Sequence, residues 1–173
     1  MTETAASPTT AFIDDPVHNV AYAFRRDGDT LWIDTLFRPG GNQPEHLHPT
    51  IDERWSAVDG TLHAKVGGRW RDLRPEDGFV TVPAGTRHAL RNDGGGPVLG
   101  RTQAIPAGHL QEFLTDAARA AQEGLYDARN LPRSLRGAIW AAALMRRHRD
   151  ETVMCFPPPP VQRLLMPLAR FQR

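Results

Sequence analysis

The sequence predicts an all-β domain of short antiparallel strands, a sandwich or a barrel, followed by a C-terminal α-helical extension. Two observations predict it. Up to about residue 105, short β-type runs alternate with turns rich in Gly and Pro; beyond Pro106 the apolar residues recur at helical spacing. Chain length adds a third: 173 residues suit one ordinary domain with something appended, and the chain shows no repeat of 20 to 50 residues.

The elements follow in order. Residues 1–16 are small, polar and Pro-containing, and read as a flexible N-terminal arm. Residues 20–24 and 31–37 flank Asp27-Gly28-Asp29 as a first hairpin. Pro39-Gly40-Gly41 interrupts, Asp59-Gly60 marks a turn, and Gly67-Gly68 joins 62–66 to 69–73 as a second hairpin. Residues 79–82 and 97–105 supply further strands, which sets a barrel at 17–106 and an extension at 107–173. In the extension, Leu110, Phe113, Leu114, Ala117, Ala118 and Ala121 share one helix face, which stops at Gly124. Pro132 is placed as the first residue of a second helix reaching about His148. The four prolines at 157–160 predict an extended break before a short helix over 161–170.

Composition narrows the function classes. With 40% hydrophobic and 24% charged residues the chain is globular, and no apolar run is long enough for stable membrane insertion. Residues 1–10 lack a basic stretch followed by an apolar one, so the reading is cytoplasmic. Cys155 is the single cysteine and reads as a structural or incidental thiol. The formal charge of +1 hides nine arginines from Arg129 onward against only Asp150 and Glu151. They bring no interleaved aromatics or groove-reading helix, so nucleic acid is not expected as a partner. Docking of this basic tail on the acidic barrel, of the same chain or of a mate, is the preferred reading.

Two stretches carry chemistry. In the first, 40–60, His46 and His48 sit two apart on a strand and project to one face, where both imidazoles can reach a single ion. A turn through Pro49 and Asp52 brings Glu53 back on the neighbouring strand, adding a hard oxygen donor. In the second, 77–92, Pro83 and Gly85 form a tight turn that delivers His88 to close the ligand set. Three imidazoles and a carboxylate suit iron or manganese first, while nickel, cobalt, copper and zinc also fit as the one divalent transition metal. Trp55, in step with Glu53, faces the cavity either as a pocket wall or as packing. His63, Arg101 and Gln103 complete the candidate substrate-binding residues; a solvent-facing or barrel-packing role competes for each.

These stretches resemble the two motifs of the cupin superfamily, Gly-x5-His-x-His-x4-Glu-x6-Gly and Gly-x5-Pro-x-Gly-x2-His-x3-Asn. The first matches in full from Gly40 to Gly60; the second matches at Pro83, Gly85, His88 and Asn92, with Asp77 where a glycine is expected and Gly78 directly after. The resemblance covers about residues 30–105 and implies a jelly-roll β-barrel with His46, His48, Glu53 and His88 binding the metal inside, near one mouth. It also implies a homodimer, and it resembles bacterial single-barrel proteins that end in helices.

Three functions are open to such a site. Four ligands leave two octahedral positions for a small-molecule substrate or dioxygen, so dioxygenase-type chemistry comes first, with Glu53 loosening to take a proton. The alternatives are a non-redox Lewis-acid isomerase, cyclase or decarboxylase, and a non-catalytic sensor that holds a small ligand in its barrel.

Overall fold

A computed structural model of the chain describes residues 11–172. Eleven strands form two antiparallel sheets that face each other. The strands are β1 (Ile13–Asp15), β2 (Val20–Asp27), β3 (Thr30–Phe37), β4 (Asn42–Leu47), β5 (Asp52–Ala57), β6 (Leu62–Val66), β7 (Arg69–Leu73), β8 (Val80–Val82), β9 (His88–Arg91), β10 (Val98–Ile105) and β11 (Val153–Met154). The helices are α1 (Leu110–Gln122), α2 (Leu135–Arg147) and α3 (Pro159–Leu165), followed by a 3-10 turn over Met166–Phe171. One sheet runs β1-β2-β3-β10-β5-β8 and the other β11-β4-β9-β6-β7.

Alternation along the strands builds the core. On β2 and β3, Val20, Tyr22, Phe24, Leu31, Ile33 and Phe37 take the inward positions and are almost completely buried. They meet Leu62, Ala64 and Leu90 of the facing sheet in one apolar cluster. Both predicted hairpins form: Asp27 pairs with Thr30, and Val66 pairs with Arg69 across Gly67 and Gly68. Both of those glycines have positive φ, the requirement of a two-residue turn that matches strand twist.

The second motif departs from the family pattern at Asp77, and the structure shows why this is tolerated. A short 3-10 turn at Pro75–Asp77 ends on Gly78 at φ 63°, so the left-handed residue is displaced by one position. Asn92, fully buried, secures the other end. Its amide donates to the carbonyls of Phe37 (3.0 Å) and Gly96 (2.8 Å), and its oxygen accepts the Gly94 N–H at 2.9 Å.

Several expectations need correction. Ile13–Asp15, within the stretch expected to be a loose arm, pair with β2; residues 1–10 lie outside the described residues. Pro132 does not open the second helix. It bridges to Tyr126, and α2 starts at Leu135 after Ser134, whose hydroxyl accepts the Gly137 N–H at 3.1 Å. Of the four prolines, Pro159 and Pro160 begin α3 instead of breaking the chain, because the first turn of a helix needs no donor from them.

The tail docks on its own barrel, and among the described residues no ion pair joins the two. β11 adds to the edge of β4, pairing Val153 with Leu47 and Met154 with His46, while Leu110, Phe113 and Leu114 of α1 join the barrel core. The tail arginines Arg136 and Arg147 pair with Glu123 and Asp116, which are tail residues themselves. Among the described residues, no helix is long and apolar enough to cross a membrane.

Asn92→Ala removes three hydrogen bonds made by a fully buried side chain and leaves the buried Phe37 carbonyl without its partner. The expected loss is about 3 kcal/mol of stability, read as a lowered urea midpoint at unchanged slope.

Candidate metal centre and pocket

His46 lies on β4 opposite His88 of β9, next to a register shift between Gln43 and His46 that locally bends the strand. His48 sits just past the end of β4. Its carbonyl accepts the Gly85 N–H at 2.7 Å, and the Asp52 carboxylate accepts the Ala84 N–H at 2.8 Å. The Pro83–Gly85 turn is therefore clamped to both ends of the loop that carries His48, which fixes the approach of His88. Glu53 does not come from a neighbouring strand as expected: β5 belongs to the facing sheet, paired there with β10 and β8, and the carboxylate reaches the histidines across the barrel.

Each imidazole has its tautomer set by a carbonyl. Nδ1 of His46 donates to Pro44 O, Nδ1 of His88 to Thr86 O, and Nδ1 of His48 to Glu151 O, each at 2.7 Å. Carbonyls only accept, so the proton of each neutral ring resides on Nδ1 and the lone pair on Nε2. These lone pairs converge. Nε2 of His46 and of His88 are 3.1 Å apart, and Nε2 of His48 and of His88 each lie 3.4 Å from an oxygen of Glu53.

Two imidazole lone pairs at 3.1 Å repel unless a cation lies between them. With ligand atoms of His46, His48 and His88 all within 4.8 Å of one another, the donor set fits a metal ion. The electrostatics agree. Burial, followed by the adjacent His88 and His48, holds His46 well below the ordinary imidazole range. Burial is also the largest influence on His88, which is lowered as well. His48 is raised: burial is the strongest influence and opposes this, but the Glu53 carboxylate and the Glu151 carbonyl outweigh it. Burial would lift Glu53, yet the charge and hydrogen bond of His48, with His88 and His46, bring it down to about 2. At neutral pH the centre therefore presents unprotonated Nε2 atoms on His46 and His88 beside an ionised carboxylate.

Trp55 is on the inner side with Glu53, as strand parity requires. Its Nε1 donates to Glu53 Oε2 at 2.8 Å, and its ring stands edge-on to His88 with 5.1 Å between centroids. It braces the carboxylate and is absent from the cavity wall. The structure does not bring the other three candidates to the centre. On β10 the inward positions are Thr102 and Ala104, the latter opposite Glu53, so Arg101 and Gln103 face outward. Arg101 makes two hydrogen bonds to Asp34, at 2.6 and 2.8 Å, and Gln103 accepts from Arg54 at 3.1 Å. His63 is likewise on the outer side of its hairpin, 3.0 Å from Asp72.

The cavity extends from His46, His48 and Glu53 to the underside of the tail helices. Phe113, Leu114, Trp140 and Leu144 line it, together with Met154 and Phe156 from the closing segment. No lysine or arginine lines it among the described residues. The helical apolar stripe was visible, but nothing in it distinguishes a face against the barrel wall from a face over its mouth.

A two-sheet antiparallel barrel with convergent histidines near one mouth defines a class of small metal-binding β-barrels. Residues 34–99 match the profile of the cupin domain family, and the barrel built on this stretch is a cupin domain. It is similar to the polyketide synthase CurC of Streptomyces cyaneus, 36% identical over 59 residues, which are 34% of this chain and 38% of that protein. The match thus spans well under half of that relative's length. Among solved structures, recombinant oxalate oxidase in complex with glycolate is 19% identical with a TM-score of 0.50, the match covering 58% of each chain. The cupin domain of Cnp3 from Schizosaccharomyces pombe is 13% identical with a TM-score of 0.49, covering 61% of this chain and 74% of that one. At that identity the likeness to oxalate oxidase speaks to the fold alone.

Trp55→Phe keeps the ring and removes the donor to Glu53 Oε2. Metal titration is expected to show affinity falling 10- to 100-fold, the usual cost of losing an outer partner of a ligand. His46→Ala with His88→Ala should abolish tight binding of manganese(II) or zinc(II) while the far-UV circular dichroism of the barrel persists.

Proposed function

We propose that this protein is a metal-dependent enzyme acting on a small, largely apolar compound that carries an enol or a phenol, with dioxygenase-type chemistry. One observation carries the reading: His46, His48 and Glu53 open onto a pocket walled by aromatic and aliphatic side chains, with no lysine or arginine among the described lining. Apart from a bound metal, a dianionic or phosphorylated substrate would meet no lysine or arginine counter-charge there. For that reason the likeness to oxalate oxidase is not extended to substrate.

His46, His48, His88 and Glu53 would hold one divalent transition metal, iron or manganese first, which when bound supplies Lewis acidity and, if redox-active, a route for electrons between substrate and dioxygen. The chain's own residues do the rest. Phe113, Leu114 and Leu144 take the apolar body of the substrate and exclude water from it. Glu53 is the acid–base group of the centre: Trp55 anchors Oε2, and Oε1, 3.4 Å from Nε2 of His48, receives the enol or phenol proton. The carbonyls of Pro44, Thr86 and Glu151 keep the three rings from turning as the substrate enters.

The match to a polyketide synthase favours a second reading, metal-assisted ring closure or isomerisation of a polyketide-type enol without redox change. Oxygen uptake separates the two. With iron(II) or manganese(II) bound, the dioxygenase reading expects consumption of dioxygen in step with loss of a phenol or β-diketone, and none in His46→Ala or His88→Ala. Turnover by the zinc form without uptake would assign the non-redox chemistry. Reversible binding with no turnover under any metal would make the barrel a ligand sensor.

A further inference from the structure

A second polar group faces the same cavity from a different part of the fold. His18 lies on the turn between β1 and β2, and every flank of it is fixed. Asp15 Oδ1 accepts the backbone N–H of Val17 at 3.0 Å and of His18 at 3.1 Å, while Oδ2 accepts from His18 Nδ1 at 2.9 Å. The carbonyl of His18 accepts the Asn42 N–H at 2.9 Å, and that of Asn19 accepts the Arg38 N–H at 3.2 Å. Because a carboxylate only accepts, the ring proton resides on Nδ1 and the lone pair on Nε2.

That Nε2 is buried without a hydrogen-bond partner among the described residues, and His18 as a whole is only 7% exposed. The nearest aromatic hydroxyl does not serve it. The ring of Tyr126 is 5.8 Å from that of His18, but its hydroxyl donates to Ala117 O at 3.0 Å. A buried acceptor left unmet is destabilising, and His18 and Asp15 both line the cavity that holds His46, His48 and Glu53. A residue so firmly oriented, lining the cavity with one ring nitrogen left unmet, is arranged for something that enters the cavity.

We infer that His18, oriented by Asp15, is the second polar pole of the pocket: its Nε2 accepts a hydrogen bond from a hydroxyl of the bound compound and takes that proton. The inference rests on the reading of the cavity as the substrate site and deepens it. The substrate class becomes an apolar, aromatic body with a phenolic or enolic O–H set apart from the atoms that face the metal centre. In the proton step the substrate O–H breaks and an N–H forms at Nε2, leaving a phenolate or enolate and an imidazolium that faces the Asp15 carboxylate. Asp15 is a positioning residue; His18 touches the substrate.

The test compares 2-naphthol with 2-methoxynaphthalene, which has the same body and no donor, by calorimetric titration of the full chain as purified and after chelator treatment. The wild-type protein should prefer 2-naphthol by about tenfold, the worth of one good hydrogen bond. In His18→Phe that preference should vanish through loss of 2-naphthol affinity alone. His18→Gln, whose amide oxygen still accepts, should keep part of it. Asp15→Asn, which retains the backbone caps but not the charge, should reduce it and carries the test if His18→Phe does not fold. The nitrogen-15 resonance of His18 Nε2 should shift with 2-naphthol and stay still with its ether, a response that packing alone would not produce. Equal affinities in the wild type, or a preference undiminished in the folded variants, would overturn the assignment. Because the chelated chain is titrated too, a failure to find metal or turnover leaves this result standing, whereas binding of neither compound would sink both readings.

Discussion

Three backbone carbonyls decide what this barrel can do. A histidine in a protein core usually satisfies both ring nitrogens. Here Pro44, Thr86 and Glu151 each take an Nδ1 proton, and the three Nε2 atoms are left to face one another and Glu53. The fold must then bear clustered lone pairs and a carboxylate in its interior, a cost that a bound cation relieves. Much of the surrounding structure secures those carbonyls: the bend in β4, the clamp between the 83–85 turn and the 48–52 loop, and the strand contributed by the tail.

The parts legible in the sequence are those fixed by local rules. Hairpins at Gly28 and Gly67-Gly68 and the stop of α1 before Gly124 follow from turn chemistry, and the pairing of His46 with His88 follows from motif spacing. Strand parity placed Trp55 beside Glu53 on the inner face, because period two survives any detail of sheet order. The same parity, applied to β10 without knowing its register, could not distinguish inward from outward. Arg101 and Gln103 went to the outer face because Ala104 had to sit opposite Glu53.

What escaped the sequence is long-range. His18 stands alone in the chain, with no second histidine at ligand spacing, and only the fold carries it to the wall of the pocket beneath Tyr126. β11 is two residues long, too short for any periodicity to register, yet it sits on the strand that carries His46. Glu53 faces inward from the opposite sheet, a consequence of jelly-roll winding that adjacency in sequence conceals.

The bond from His48 to the Glu151 carbonyl spans 103 positions of the chain. A polypeptide leaves the ribosome from its N-terminus, so the segment with His46, His48 and Glu53 emerges first, and His88 follows well before the residue that orients His48. For much of its synthesis the chain thus holds every donor without the restraint that aims one of them. Maturation of the centre is tied to completion of the tail, and a chain truncated before residue 151 would carry histidines without a finished coordination geometry.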